Sequence, residues 1–167
     1  MLLPYVENGF LHINGNWLDL NHCGVAEFER VWGRFDSCIF ANEQIAQFVI
    51  NNDLGETYIF FDNASSGLLI QIHLELLEEI PFWEFLRLTR HRRYAYFENE
   101  NDLYLIFNPY VMARLRVNSQ KIASLIFSSR NFFETGETDF YVQAKRALAN
   151  RFVLQAKEIS ARNLYPQ

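Results

Sequence analysis

Four groups of residues have the types and spacing that chemistry requires. His73 and Glu75 stand two apart in GLLIQIHLELL, and on a strand such a pair projects from one face, where both could reach one metal ion. Two ligands are too few, and His12, His22 and His91 make no HxxxH or HExxH pair that would complete a site. The pair therefore reads as part of a polar sheet face. Cys23 and Cys38 are separated by fifteen positions with no CxxC and no obvious arrangement of basic neighbours. They fit neither a zinc site, a disulfide framework nor an activated nucleophile, and are expected as reduced thiols.

The third group is Arg90-His91-Arg92-Arg93 followed by Tyr94, Tyr96 and Phe97. It combines cations for phosphates with aromatic faces for stacking, the ingredients of a nucleic-acid contact. The same residues also suit the cationic end of a helix followed by an ordinary strand. The fourth group is Gln71, His73, Glu75, Glu78, Glu79 and Glu84, clustered around one strand end and one helix start. Carboxylates held on rigid elements would speed the capture of a basic protein. No GxGxxG, GxxxxGK[ST] or GxSxG occurs, so the familiar phosphate loops and the nucleophile elbow are absent, and neither a cofactor nor an enzymatic activity is expected.

The elements that must position these residues follow from periodicity. Asn14-Gly15 between short apolar runs predicts a tight hairpin, because both residues tolerate positive φ. Phe28, Val31, Trp32 and Phe35 recur at helical spacing, and Ile45, Phe48 and Val49 repeat it, predicting two short helices. TYIFFDN and GLLIQIHLELLEE flank Ala64-Ser65-Ser66-Gly67, and the second run alternates strictly. It predicts a strand with Leu68, Ile70, Ile72, Leu74 and Leu76 on the core face and Gln71, His73 and Glu75 in a row on the other. Pro81 suits the first turn of a helix through PFWEFLRLTRH.

RYAYFEN and DLYLIFN around the polar tip Glu98–Asn101 predict another hairpin. VMARLRV alternates like a strand, although a helix starting at Pro109 could also run into NSQKIASLIF; the favoured reading is an extended piece followed by a helix from about Ser119 to Ser129. From Asp139 the stripe Tyr141, Leu148, Phe152 and Ile159 predicts a closing helix of some twenty residues. The expected fold is a single α+β domain over residues 1–167, a mostly antiparallel sheet with flanking helices and a long C-terminal helix.

At 167 residues and half apolar, the chain can bury a full core without disulfides or metal, which excludes disorder and fibrous repeats. The start MLLPYVENGF lacks a basic region and a long apolar run, and no segment approaches the ~20 residues that cross a bilayer, so a cytoplasmic protein without membrane contact is expected. Net charge is −5, but the layout is uneven. Residues 1–86 hold thirteen acids and two bases; residues 87–167 hold seven acids and thirteen bases. Two arrangements satisfy that split. Either the acids from Glu75 to Glu84 gather on one exposed face, or they pair internally with Arg114, Arg116, Arg130 and Arg146.

A small, acidic, aromatic-rich α+β chain with a Glu-rich strand face and helix edge resembles bacterial toxin-immunity proteins, in particular those of contact-dependent growth inhibition and related polymorphic toxin systems. The resemblance is one of character over the whole chain and carries no site residue across. It implies a protein that binds the C-terminal toxin domain of a sibling cell, often a basic nuclease, and blocks its active site or substrate groove. The acidic row from Gln71 to Glu84 is the surface expected to do so, and Arg90 to Tyr96 as a nucleic-acid contact is the alternative.

Overall fold

The computed structural model describes residues 3–89 and 93–150 together with the backbone of 153–154. Three strands, β1 (Tyr5–Glu7), β2 (Phe10–Ile13) and β3 (Asn16–Asp19), form a small antiparallel sheet. The expected hairpin joins β2 to β3, with Asn14 at φ 50° and Gly15 at φ 78°. Asn8-Gly9 builds a second turn of the same kind between β1 and β2, at φ 52° and 81°. Helix α1 (Val25–Trp32) follows and buries Phe28 and Trp32, as its spacing predicts.

The remaining strands are β4 (Ser37–Ala41), β5 (Ile45–Asn52), β6 (Gly55–Asp62), β7 (Leu69–Pro81), β8 (Tyr94–Asn99), β9 (Asp102–Asn108), β10 (Val111–Arg116), β11 (Lys121–Ser128) and β12 (Val153–Leu154). They form one nine-stranded sheet in the order β12-β8-β9-β10-β11-β7-β6-β5-β4, every neighbouring pair antiparallel. Helix α2 (Phe82–Thr89) starts directly after Pro81; α3 (Arg130–Thr135) and α4 (Asp139–Ala149) follow β11. The fold is α+β in a single domain, with a C-terminal helix.

Two segments expected as helices are strands. Ile45, Phe48 and Val49 lie in β5, which pairs along its whole length with β6, from Ile45 opposite Asp62 to Asn52 opposite Gly55. The region expected as a helix from Ser119 to Ser129 is β11, buried from Ile122 to Ser128 because it lies between β7 and β10 with apolar cover on both faces. A strand buried on both faces loses the alternation that would reveal it. The closing helix runs for 11 residues and ends with Asn150 as its C-cap, rather than for twenty. Phe152 and Ile159, the last members of its expected stripe, lie outside the described residues.

One face of the large sheet carries the main core. Ile59, Phe61, Ile72, Leu74, Leu105 and Leu125 pack there with Leu11 and Leu18 of the small sheet, Phe28 of α1, and Phe82 and Phe85 of α2. A bulge at Phe60/Phe61 changes the first turn of the expected alternation. Leu69, not Ile70, joins this core, so the Leu68/Ile70 assignment holds only from Ile72 onward. The second face carries a smaller cluster in which Ala95, Phe97, Ile106, Met112 and Ile126 meet Phe133, Tyr141 and Ala144. Helix α4 lies over β8 and β9, which leaves the other half of this face open.

Candidate partner-binding face

The open half is assembled from cross-strand rows, in which residues directly opposite share a face. One row runs Glu56, Glu75, Ser124, Arg114 and Tyr104 across β6, β7, β11, β10 and β9. The next runs Val49, Tyr58, His73, Ile126 and Met112, and a third places Gln47, Phe60 and Gln71 side by side. Gln71, His73 and Glu75 therefore stand in the expected row, on the face away from Ile72 and Leu74.

These groups form a network. Nε2 of His73 lies 2.7 Å from Glu75 Oε1, while Arg114 donates to Glu75 Oε2 at 2.8 Å and to Ser124 Oγ at 3.0 Å. Asp102 stands 3.5 Å from the same guanidinium. Burial pushes the Glu75 carboxyl up, but the hydrogen bond from His73, the bond to Ser124 and the charge of Arg114 outweigh it, and the group sits below its ordinary value. Alongside, the Tyr58 hydroxyl donates to Glu56, which raises the tyrosine pKa.

Of the other residues singled out in the sequence, Glu79 pairs with Arg116 at 2.5 Å. Opposite Ser124 lies Glu75 and opposite Ile122 lies Ile80, so β7 carries extra residues there; Leu77 and Glu78 are pushed outward, Leu77 to 73% exposure. Glu84 is not part of this face. It stands on α2, which buries Phe82 and Phe85 in the opposite core, and approaches Arg87 at 3.9 Å. The two arrangements open in the sequence thus both occur in part. Glu75 and Glu79 pair with Arg114 and Arg116, Arg130 pairs locally with Glu134, and Glu56 and Glu78 remain outward.

Arg90, His91 and Arg92 lie outside the described residues. Of the aromatics after them, Tyr94 is 2% exposed and packs edge-on against Phe82 and Phe107, Phe97 is buried and stacks on Tyr104, and Tyr96 is half-buried against the main core. Buried rings offer no face to a base. Cys23 is buried and Cys38 exposed, both as free thiols. Among the described residues, His73 and Glu75 find no third acidic, histidine or cysteine side chain with which to hold a metal ion.

One surface escaped sequence reasoning. Tyr5, His12 and Trp17 lie opposite one another on β1, β2 and β3, with Tyr5 stacked on His12 at 4.7 Å and Trp17 63% exposed. The repeated Asn-Gly at 8–9 and 14–15 was the available signal, since two such turns set the register of three strands.

No protein-family model matches the chain, and neither does any curated protein. Among solved structures it is similar to a cysteine-rich secretory protein (SAV1118) from Staphylococcus aureus subsp. aureus Mu50, at 10% identity and a TM-score of 0.39, over 68% of this chain. The chain spans 46% of the length of that protein. A likeness this slight carries no argument about function. Among the described residues no helix is long and apolar enough to cross a membrane.

Proposed function

We propose that the protein is an inhibitory binder of the immunity type, which uses the open half of its large sheet to engage a basic toxin domain. The observation that carries this reading is the acidic excess left on that face after internal pairing. Glu75 and Asp102 pair with Arg114 and Glu79 pairs with Arg116, while Glu56 lies opposite Glu75 on β6 and Glu78 is exposed on β7. These carboxylates stand on paired strands, so little side-chain and no loop ordering opposes association. A negative field of this kind raises the encounter rate with a cationic partner, disfavours nucleic acid and weakens as salt rises.

The test is direct binding to the toxin domain encoded beside this gene, by calorimetry at low and physiological salt. A one-to-one complex weakened at least tenfold by the double substitution Glu56→Lys and Glu78→Lys supports the reading. Absence of any complex at low salt ends it.

A further inference from the structure

Towards α4 the open face deepens into a groove of about 380 Å³, lined by Phe60, Gln71, His73, Tyr104, Phe140 and Tyr141 among others. That volume lies within the ~300–1,000 Å³ of small-molecule sites, which pair mostly apolar walls with a few placed polar groups. Two polar groups here have defined roles. The Glu75 carboxylate can only accept, so Nε2 of His73 carries the proton in their 2.7 Å contact. In that Nε2–H tautomer Nδ1 is an acceptor, and it has no partner among the described residues. Gln71 accepts the Tyr141 hydroxyl on Oε1 at 2.5 Å, which leaves its amide N–H groups as donors.

The groove thus presents one acceptor and one donor, two residues apart on the same face of β7, beside aromatic rings. A single oxygen that both donates and accepts satisfies the pair, and a planar ring attached to it fills the aromatic walls. A carboxylate would meet the Nδ1 lone pair with no proton to offer. An ammonium would lose hydration without a free counter-charge, because Glu75 is already shared by His73 and Arg114. The contacts of Glu75 to Arg114 and of Arg114 to Ser124 and Asp102 hold the imidazole in place.

We propose that this groove binds a small phenol-bearing molecule, its ring among Phe60, Tyr104 and Phe140 and its hydroxyl donating to His73 Nδ1 while accepting from Gln71. The groove exists whether or not a protein partner binds, and a partner seated over Gln71 and His73 would exclude the phenol.

The experiment titrates the intact protein with p-cresol, toluene and benzoate, following the ring signals of Phe60 and Phe140 by NMR. Saturable p-cresol binding at least tenfold tighter than toluene, with benzoate weaker still, is expected, because a site that hydrogen-bonds a hydroxyl rejects the analogue lacking it. His73→Phe and Gln71→Leu should each narrow the p-cresol preference. Equal binding of toluene and p-cresol, no saturable p-cresol binding, or shifts confined to other residues would overturn the proposal. These readouts on the unsubstituted protein need neither variant to fold.

Discussion

Glu75 of β7 and Arg114 of β10 meet 2.8 Å apart across the intervening strand β11, whose Ser124 holds the same guanidinium. The contact joins the acidic first half of the chain to the basic second half, and it does so at the centre of the open sheet face. The charge asymmetry of the sequence is therefore spent partly on cohesion, and only its remainder is free for a partner.

Replacing Glu75 by Gln should destabilise the fold by about 1–2 kcal/mol. Charge-assisted hydrogen bonds contribute roughly 1.5–3 kcal/mol when well buried, and this carboxylate is partly exposed, so the lower part of that range applies. Urea denaturation measures the loss. An unchanged midpoint would mean that Ser124 and Asp102 suffice for Arg114.

The same carboxylate sets a response to acid. Its pKa in the fold lies below the ordinary 4.5. The stability it contributes is complete above that ordinary value and is lost as pH falls through the lowered folded value. Stability measured from pH 6 down to ~2 should fall less steeply in Glu75→Gln than in the parent. Parallel profiles would remove Glu75 from the account.

Gly55 opens β6 at φ 146°, where an added Cβ would collide with the backbone carbonyl of Glu75. Gly55→Ala should cost about 3 kcal/mol or more, since both the conformation and the space oppose it. Gly15→Ala, with positive φ but nothing near its Cβ position, should cost only about 1 kcal/mol. Thermal unfolding of the two variants tests the ordering, which must not reverse.

The two thiols should separate cleanly. Burial, aided by Glu27 and Asp19, pushes Cys23 up to about 12, whereas Cys38 is exposed. Iodoacetamide should label Cys38 in the native protein and Cys23 only on unfolding, as mass spectrometry will report. Because the folded value of Cys23 is raised, its contribution is complete below its ordinary 9.0 and is lost as pH rises towards 12. Cys23→Ala should flatten the decline in stability over that interval.

Thr57 is fully buried and its hydroxyl has no hydrogen-bond partner among the described residues. Valine keeps the shape and removes an unsatisfied polar group, so Thr57→Val should stabilise by about 1 kcal/mol. A lower midpoint in urea would show that the hydroxyl is satisfied in solution.

Much of the fold was legible wherever a segment has one wet face. The Asn14-Gly15 hairpin, α1, β7 from Ile72 onward and α2 all show it, and the row Gln71, His73, Glu75 followed directly from alternation; the β8–β9 hairpin, covered on both faces, was legible instead from its polar tip Glu98–Asn101. Legibility failed where both faces are covered. Lys121–Ser128 reads as a continuous apolar run and is compatible with either element until β7 and β10 are seen beside it. Ile45, Phe48 and Val49 happen to match a helical spacing, and only pairing with β6 decides against it.

The sequence by itself determined an α+β class, an antiparallel habit and an acidic half followed by a basic one, because each depends on local pattern or on counting. Tertiary structure alone decided which acids are paired and which remain outward. It also decided that Glu84 belongs to another face, that Tyr94 and Phe97 point inward, and that Gln71 and His73 share a groove with residues of α3 and α4. Those outcomes depend on which strands become neighbours across the sheet, a choice made by burial over the whole chain and written in no single segment.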